Sequence, residues 1–188
     1  MMRRCSGPVK KSSAVKALSP SLGRRQCLSW GCAWLAALSL PARALPAPTG
    51  PVVLSVSGRV RIHNDGQRAH FDMAMLADLP QQTIHTRTPW YPQTRQFTGP
   101  WLRDVLSAVG AQGTTLRLIA LNDYRVDMPY DDAQRHDVIL ARLLDGQPLA
   151  VRDKGPLFVI YPFDSNPELK SAKYYSRAAW QLRTIEVL

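Results

Sequence analysis

Three short segments of this chain carry side chains suited to gripping a flat, polar ring. The first is Thr88-Pro89-Trp90-Tyr91. A rigid proline beside two aromatics in a loop makes a stacking wall, although Trp90 would equally well pack beneath the loop. The second is Ala120-Leu121-Asn122-Asp123-Tyr124. Here the Asp123 carboxylate is placed to accept two N–H groups from a guanidine-like edge, a charge-assisted bidentate contact. Asn122 and Tyr124 would shape that corner. The competing reading is a plain turn, which Asn and Asp favour. The third lies in the last forty residues: Arg152-Asp153-Lys154-Gly155-Pro156, then Tyr161-Pro162-Phe163-Asp164, then Tyr174-Tyr175-Ser176-Arg177-Ala178-Ala179-Trp180. Lys154, Ser176 and Arg177 would meet an anionic or polar ring substituent; a solvated, charged loop is the alternative. Trp180 is expected in the core, because it opens a strand.

Other chemistries lack their residues. All three cysteines, Cys5, Cys27 and Cys32, fall in the first 32 positions. The remainder has no thiol for a disulfide, a nucleophile or a thiolate metal ligand. The four histidines, His63, His70, His85 and His136, show no metal-pair spacing with one another or with carboxylates. Ser165 and Ser176 are not in a G-x-S-x-G setting, and no Gly-rich phosphate loop is present. No residue is singled out as catalytic.

The cysteines belong to a segment that reads as an export signal over residues 1–44. Arg24-Arg25 forms a basic end, Leu28 to Leu40 is apolar, Pro41 breaks the run, and Ala42-Arg43-Ala44 offers an A-x-A cleavage site. The apolar run falls short of the roughly 20 residues needed to span a bilayer. Cleavage would deliver the protein to the periplasm, with the general secretory and twin-arginine routes both open. The leader holds eight of the chain's 24 Lys and Arg and none of its 14 Asp and Glu, so the rest is left at net +2. That balance, without any basic block, removes the case for nucleic acid.

Residues 45–51 form a Pro/Gly-rich linker, and residues 52–188 are long enough for one domain with its own core. Val52 to Val56 and Arg59 to His63 suggest two early strands, followed by a turn at Asn64-Asp65-Gly66. Asp72 is placed as an N-cap, with Phe71 and Leu76 at hydrophobic-staple positions around a helix over Met73–Leu79. Thr83 to Thr88 is β-prone and leads into an irregular loop, Pro89 to Pro92. Gly99-Pro100 opens a helix with Pro100 at N1 and an apolar face of Trp101, Leu102, Val105, Leu106 and Val109; Gly110 is its C′ residue. Leu116-Leu118-Ala120 and Tyr124-Val126-Met128 alternate as strands. A dense apolar run spans Asp137–Leu144, Asp145-Gly146 turns, and Leu157–Tyr161 is a buried strand. Ser165-Asn166-Pro167-Glu168 reads as a capping box. Trp180 begins the last strand, which ends at Val187. Strands outweigh helices without regular interleaving, which predicts an α+β domain with a mixed sheet or barrel.

The order of Phe97-Thr98-Gly99-Pro100, Leu102-Arg103-Asp104-Val105-Leu106, Ala120 to Tyr124, Asp145-Gly146-Gln147-Pro148-Leu149, Gly155-Pro156-Leu157 and Arg177-Ala178-Ala179-Trp180 resembles the molybdopterin-binding domain of the sulfite oxidase type, over residues 52–187. The resemblance implies that fold, α+β with a mixed barrel-like sheet and a few short helices, and a pterin-binding cleft. In the enzymes of that family a cysteine just ahead of the F-x-G helix ligates molybdenum. The corresponding stretch here, Arg87 to Gln93, has none, and Thr88 does not replace it, because an alcohol hardly ionises near neutral pH. The chain is more similar to small exported, cysteine-free versions that bind a free reduced pterin. These regulate a membrane-bound cyclic-di-GMP enzyme, a diguanylate cyclase or phosphodiesterase, through its periplasmic domain. The resemblance thus implies a pterin ligand, with no metal, held by Thr88, Trp90, Tyr91, Asn122, Asp123, Tyr124, Lys154, Ser176 and Arg177. Two rival readings are a molybdopterin-dependent oxidoreductase with a non-cysteine ligand and a ligand-free interaction module.

Overall fold

The computed structural model describes residues 44–188. The leader expected over residues 1–44 lies, apart from Ala44, outside the described residues, and so do the three cysteines.

In chain order the elements are β1 Leu54–Gly58, β2 Ala69–Phe71, α1 Met73–Asp78, β3 Gln81–Thr88, β4 Tyr91–Pro100, α2 Leu102–Ala108, β5 Thr115–Ala120 and β6 Arg125–Pro129. There follow α3 Tyr130–Arg135, β7 Ile139–Ala141, β8 Leu143–Leu144, β9 Gln147–Pro148, β10 Phe158–Ile160, α4 Ala172–Arg177 and β11 Leu182–Val187. Three sheets result, ordered β2-β1-β11-β5-β6, β3-β4-β8-β9 and β10-β7. Among the described residues only the β1–β11 pair is parallel. The domain is α+β with mixed sheets, as expected. The sheets do not close into one barrel; single bridges, Trp101 to Ile139 and Phe158 to Trp180, stitch them instead.

Alternation drives the pairing. In β5, Leu116, Leu118 and Ala120 point inward, opposite Val187, Ile185 and Leu182 of β11. The short β10 is buried on both faces, so Phe158, Val159 and Ile160 are all inaccessible. Such fully buried strands carry continuous apolar runs rather than alternation. On α2 the buried face is Leu102, Val105 and Leu106, and Gly110 follows the helix at φ +60°. Gly99 lets β4 run against β7: a Cβ there would stand 1.9 Å from the Leu140 carbonyl oxygen.

Four expectations are corrected. Arg59 to His63 is not a strand. Gly58 turns the chain at φ +86°, and the Arg61 and Ile62 amides both donate to the Val109 carbonyl at the end of α2. Pro89 to Pro92 is not an irregular loop but the tip of a long hairpin in which Thr88 faces Tyr91. Pro92 is tolerated because the ladder is already interrupted between Thr86 and Thr88. Pro100 ends β4, and Trp101 takes the N-cap position of α2. Helix α3 carries almost no apolar periodicity, because its buried residues are Asp132 and Ala133. At the Ser165–Glu168 box the cap is Asn166, over a single 3-10 turn at Pro167–Leu169.

Asp72 does cap α1, accepting the Met75 amide at 2.9 Å. Its other oxygen accepts the Thr49 and Gly50 amides, both at 2.8 Å. The presumed linker is therefore tied onto the domain. Those donors, the Met75 amide foremost, hold the Asp72 carboxyl down at about 2. A lowered carboxyl stabilises the fold above its unfolded value near 4, and that contribution fades as pH falls through about 2. The melting temperature should accordingly drop between pH 4 and pH 2, and Asp72→Ala should flatten part of that slope in a thermal scan series.

Candidate functional site

Four pieces of chain that are distant in sequence enclose a cavity of about 450 Å³. The β3–β4 turn supplies Pro89 and Trp90; the β5–β6 turn supplies Asn122 and Tyr124. Helix α4 supplies Ala172, Tyr175 and Ser176, and the stretch leading to β11 supplies Ala178, Ala179 and Trp180. The tight hairpin turn is what throws Trp90 into this space. Its indole meets Phe158 at 5.3 Å, Trp180 at 5.4 Å and Tyr175 at 6.3 Å between ring centroids, all edge to face. Interlocked aromatics of this kind hold each other's rotamers and present rigid faces. The size falls in the roughly 300–1,000 Å³ range of small-molecule sites, which are apolar with a few placed polar groups. Besides the two indoles, the lining residues with polar side-chain atoms are Asn122, Tyr124, Tyr175 and Ser176.

Backbone strain gathers beside the cavity. Asp123, Lys154 and Gln181 adopt φ of +62°, +74° and +51°. They are linked: the Gln181 amide donates to the Lys154 carbonyl, and the Leu121 amide donates to the Gln181 carbonyl. Left-handed non-glycine residues persist only where the surroundings over-determine them, and they cluster at binding sites.

Of the nine residues expected at the site, Trp90, Asn122, Tyr124 and Ser176 line the cavity. The charged ones do not. Arg177 turns inward and donates from Nη1 to Oδ2 of Asp132 on α3 at 2.7 Å. That carboxylate also accepts the Tyr161 hydroxyl at 2.9 Å. Burial, with Asp132 second, pushes the Tyr161 phenol far up, so it stays a donor. Asp123 pairs with Arg183 of β11 at 2.6 Å instead of facing the ring space. The Lys154 ammonium sits 5.1 Å from the Tyr91 ring centre and 5.9 Å from that of Trp180, with no carboxylate partner among the described residues. Tyr91 packs on Phe97 at 6.0 Å, with Arg95 on its face at 5.2 Å. Burial raises its phenol pKa. Thr88 is buried, and its hydroxyl finds no partner.

Two lining aromatics escaped the sequence reading. Trp180, expected in the core, does pack against it and also walls the cavity, because Gln181 turns the chain before β11 begins at Leu182. Tyr175 lies on α4, whose apolar spacing is too short to stand out. Its adjacency to Ser176 was the one available signal.

Residues 54–177 match the oxidoreductase molybdopterin binding domain family. The chain belongs to that family. Its fold is similar to the solved sulfane dehydrogenase SoxCD of Paracoccus pantotrophus, with a TM-score of 0.54, 16% identity and 71% of this chain covered. The match spans 37% of that protein's chain. No curated protein sequence matches. The donor set tests whether the family's metal fits. Residues 44–188 contain no cysteine, and no three His, Cys, Asp or Glu gather at one point among the described residues. The stretch where the resemblance places the cysteine ligand, Arg87 to Gln93, offers Thr88, an alcohol that binds metal poorly in its neutral form. A molybdenum–thiolate centre does not fit these residues, whereas the aromatic walls fit the pterin part of the family's cofactor.

Proposed function

We propose that this is a non-catalytic, exported pterin-binding protein whose cavity holds a reduced pterin against Trp90, Tyr175 and Trp180. The observation that carries the reading is the aromatic-walled cavity itself, in a domain whose family binds a pterin cofactor. No charged side chain lines it, and its one aliphatic hydroxyl, on Ser176, donates back to the Lys173 carbonyl at 2.9 Å. The phenols of Tyr124 and Tyr175 are the lining groups of a type used in acid–base or nucleophilic chemistry, and no charged lining side chain stands beside them to activate either. Asn122 and the Ser176 backbone remain to orient the ring. In this reading the pterin-loaded protein works in the periplasm and regulates a membrane-bound diguanylate cyclase or phosphodiesterase through that enzyme's periplasmic domain. Support for that step is the resemblance to small exported, cysteine-free versions of the fold, together with the signal-like leader.

Calorimetric titration with tetrahydrobiopterin tests the ligand. Saturable heat and a thermal shift are expected; neither appearing at high micromolar ligand sinks the binding role. The partner is tested by co-purification with the cyclase or phosphodiesterase periplasmic domain, with and without pterin. The second reading, a molybdopterin-dependent oxidoreductase with a non-cysteine ligand, draws on family membership and on the unpartnered, buried Thr88 hydroxyl. Stoichiometric molybdenum in protein from a molybdate-fed host would establish it over the first.

A further inference from the structure

The rim of the cavity carries a feature that the binding reading does not use. Tyr124 lines the space, yet it is 46% exposed, so it stands at the mouth and not on the floor. Its hydroxyl crosses to α4 and donates to the Ser176 carbonyl at 3.1 Å. That carbonyl belongs to the last turn of the helix, where intrahelical bonding leaves acceptors open. One side chain from the β5–β6 turn thus joins the opposite wall through a single hydrogen bond.

The base of this side chain is fixed. The Tyr124 amide donates to Asn122 Oδ1 at 3.2 Å. Asp123, at φ +62°, is held to β11 by its pair with Arg183 at 2.6 Å. The turn itself is therefore braced from two directions. The free movement left is rotation of the Tyr124 side chain between staggered wells, and the bond to Ser176 opposes it. The other aromatics lock against one another, Trp90 against Phe158, Tyr175 and Trp180. Tyr124 appears in no such pair among the described residues.

We propose that Tyr124 is the latch of this cavity: its hydroxyl bond to the Ser176 carbonyl closes the mouth, and ligand enters and leaves when the side chain swings out. Asp123 and Arg183 act as positioning residues that keep the latch over the mouth. This rests on the cavity being the ligand site. A partly exposed hydrogen bond contributes little to the fold but shifts an open–closed equilibrium by about two- to tenfold.

The test compares the wild-type chain with Tyr124→Phe and Arg183→Gln. In stopped flow, tetrahydrobiopterin binding is followed by tryptophan quenching. Tyr124→Phe should raise the association and dissociation rates together by about two- to tenfold, so that Kd changes by less than either rate. Arg183→Gln, which lies outside the cavity, should move both rates the same way by less. Unchanged rates, or a faster dissociation mirrored in Kd alone, would make Tyr124 an ordinary wall contact and overturn the latch. Acrylamide quenching of the ligand-free protein is the independent arm. A steeper quenching slope for Tyr124→Phe supports the latch whether or not a pterin binds, and an unchanged slope refutes it. Absence of pterin binding in every protein, with the quenching difference intact, removes the pterin reading alone.

Discussion

Arg177→Ala should destabilise the domain by about 3–5 kcal/mol, a fall in melting temperature on the order of 10 °C. The guanidinium and the Asp132 carboxylate are only 14% and 10% exposed as side chains. Removing the cation strands a buried carboxylate with the Tyr161 hydroxyl as its sole side-chain partner. The loss spreads, because the same pair fastens α4 to α3. Next to it Tyr174 donates to Glu168 at 3.2 Å and stacks edge to face on His136 at 5.3 Å. Arg177→Lys should recover only part of the stability, since an ammonium lacks the planar fork and its stacking on Tyr174. Thermal denaturation of the three proteins checks this. The opposite outcome is informative: an Arg177→Ala protein that melts like wild type but loses pterin would mean that the cation reaches the ligand.

Trp90→Ala should weaken pterin binding on the order of 10- to 100-fold, the loss of roughly 1–3 kcal/mol of ring stacking. It should also cost about 2–3 kcal/mol of stability, below the range for a fully buried tryptophan because Trp90 is partly exposed. The binding loss exceeds a local contact because Trp90 holds Trp180 and Tyr175 in their rotamers. Trp90→Phe should keep most of both. Calorimetry beside a thermal melt separates the two effects. Unaltered affinity in a folded Trp90→Ala protein would move the pterin site elsewhere.

Much of the frame was legible because its signals are local. The Asp72 cap, the α2 face and the turns at Asn122-Asp123 and Asp145-Gly146 depend on neighbours within a few residues. The β4 strand was hidden by Pro92, which normally argues against a ladder and is admitted here only by an irregular register. Helix α3 was hidden because its inward residue is a carboxylate, Asp132, whose partner comes from α4. The α+β class with mixed sheets was legible, whereas strand count did not fix that the strands divide into three separate sheets.

The site divides along the same line. By itself the sequence determined which chemistry is available: no thiol in residues 44–188, aromatics beside turns at Trp90 and Tyr124, and family motifs in order. Only the tertiary structure decided which of these side chains face the cavity. Arg177 and Asp123 were reasonable ligand groups until their partners were in view, Asp132 at 45 residues' separation and Arg183 at 60. A charge follows the nearest compensating charge in space, and sequence spacing does not report that distance. Aromatic walls, by contrast, need no charged partner, so Trp90 both packs on the core and lines the cavity, while Arg177 and Asp123 turn to charged partners of their own.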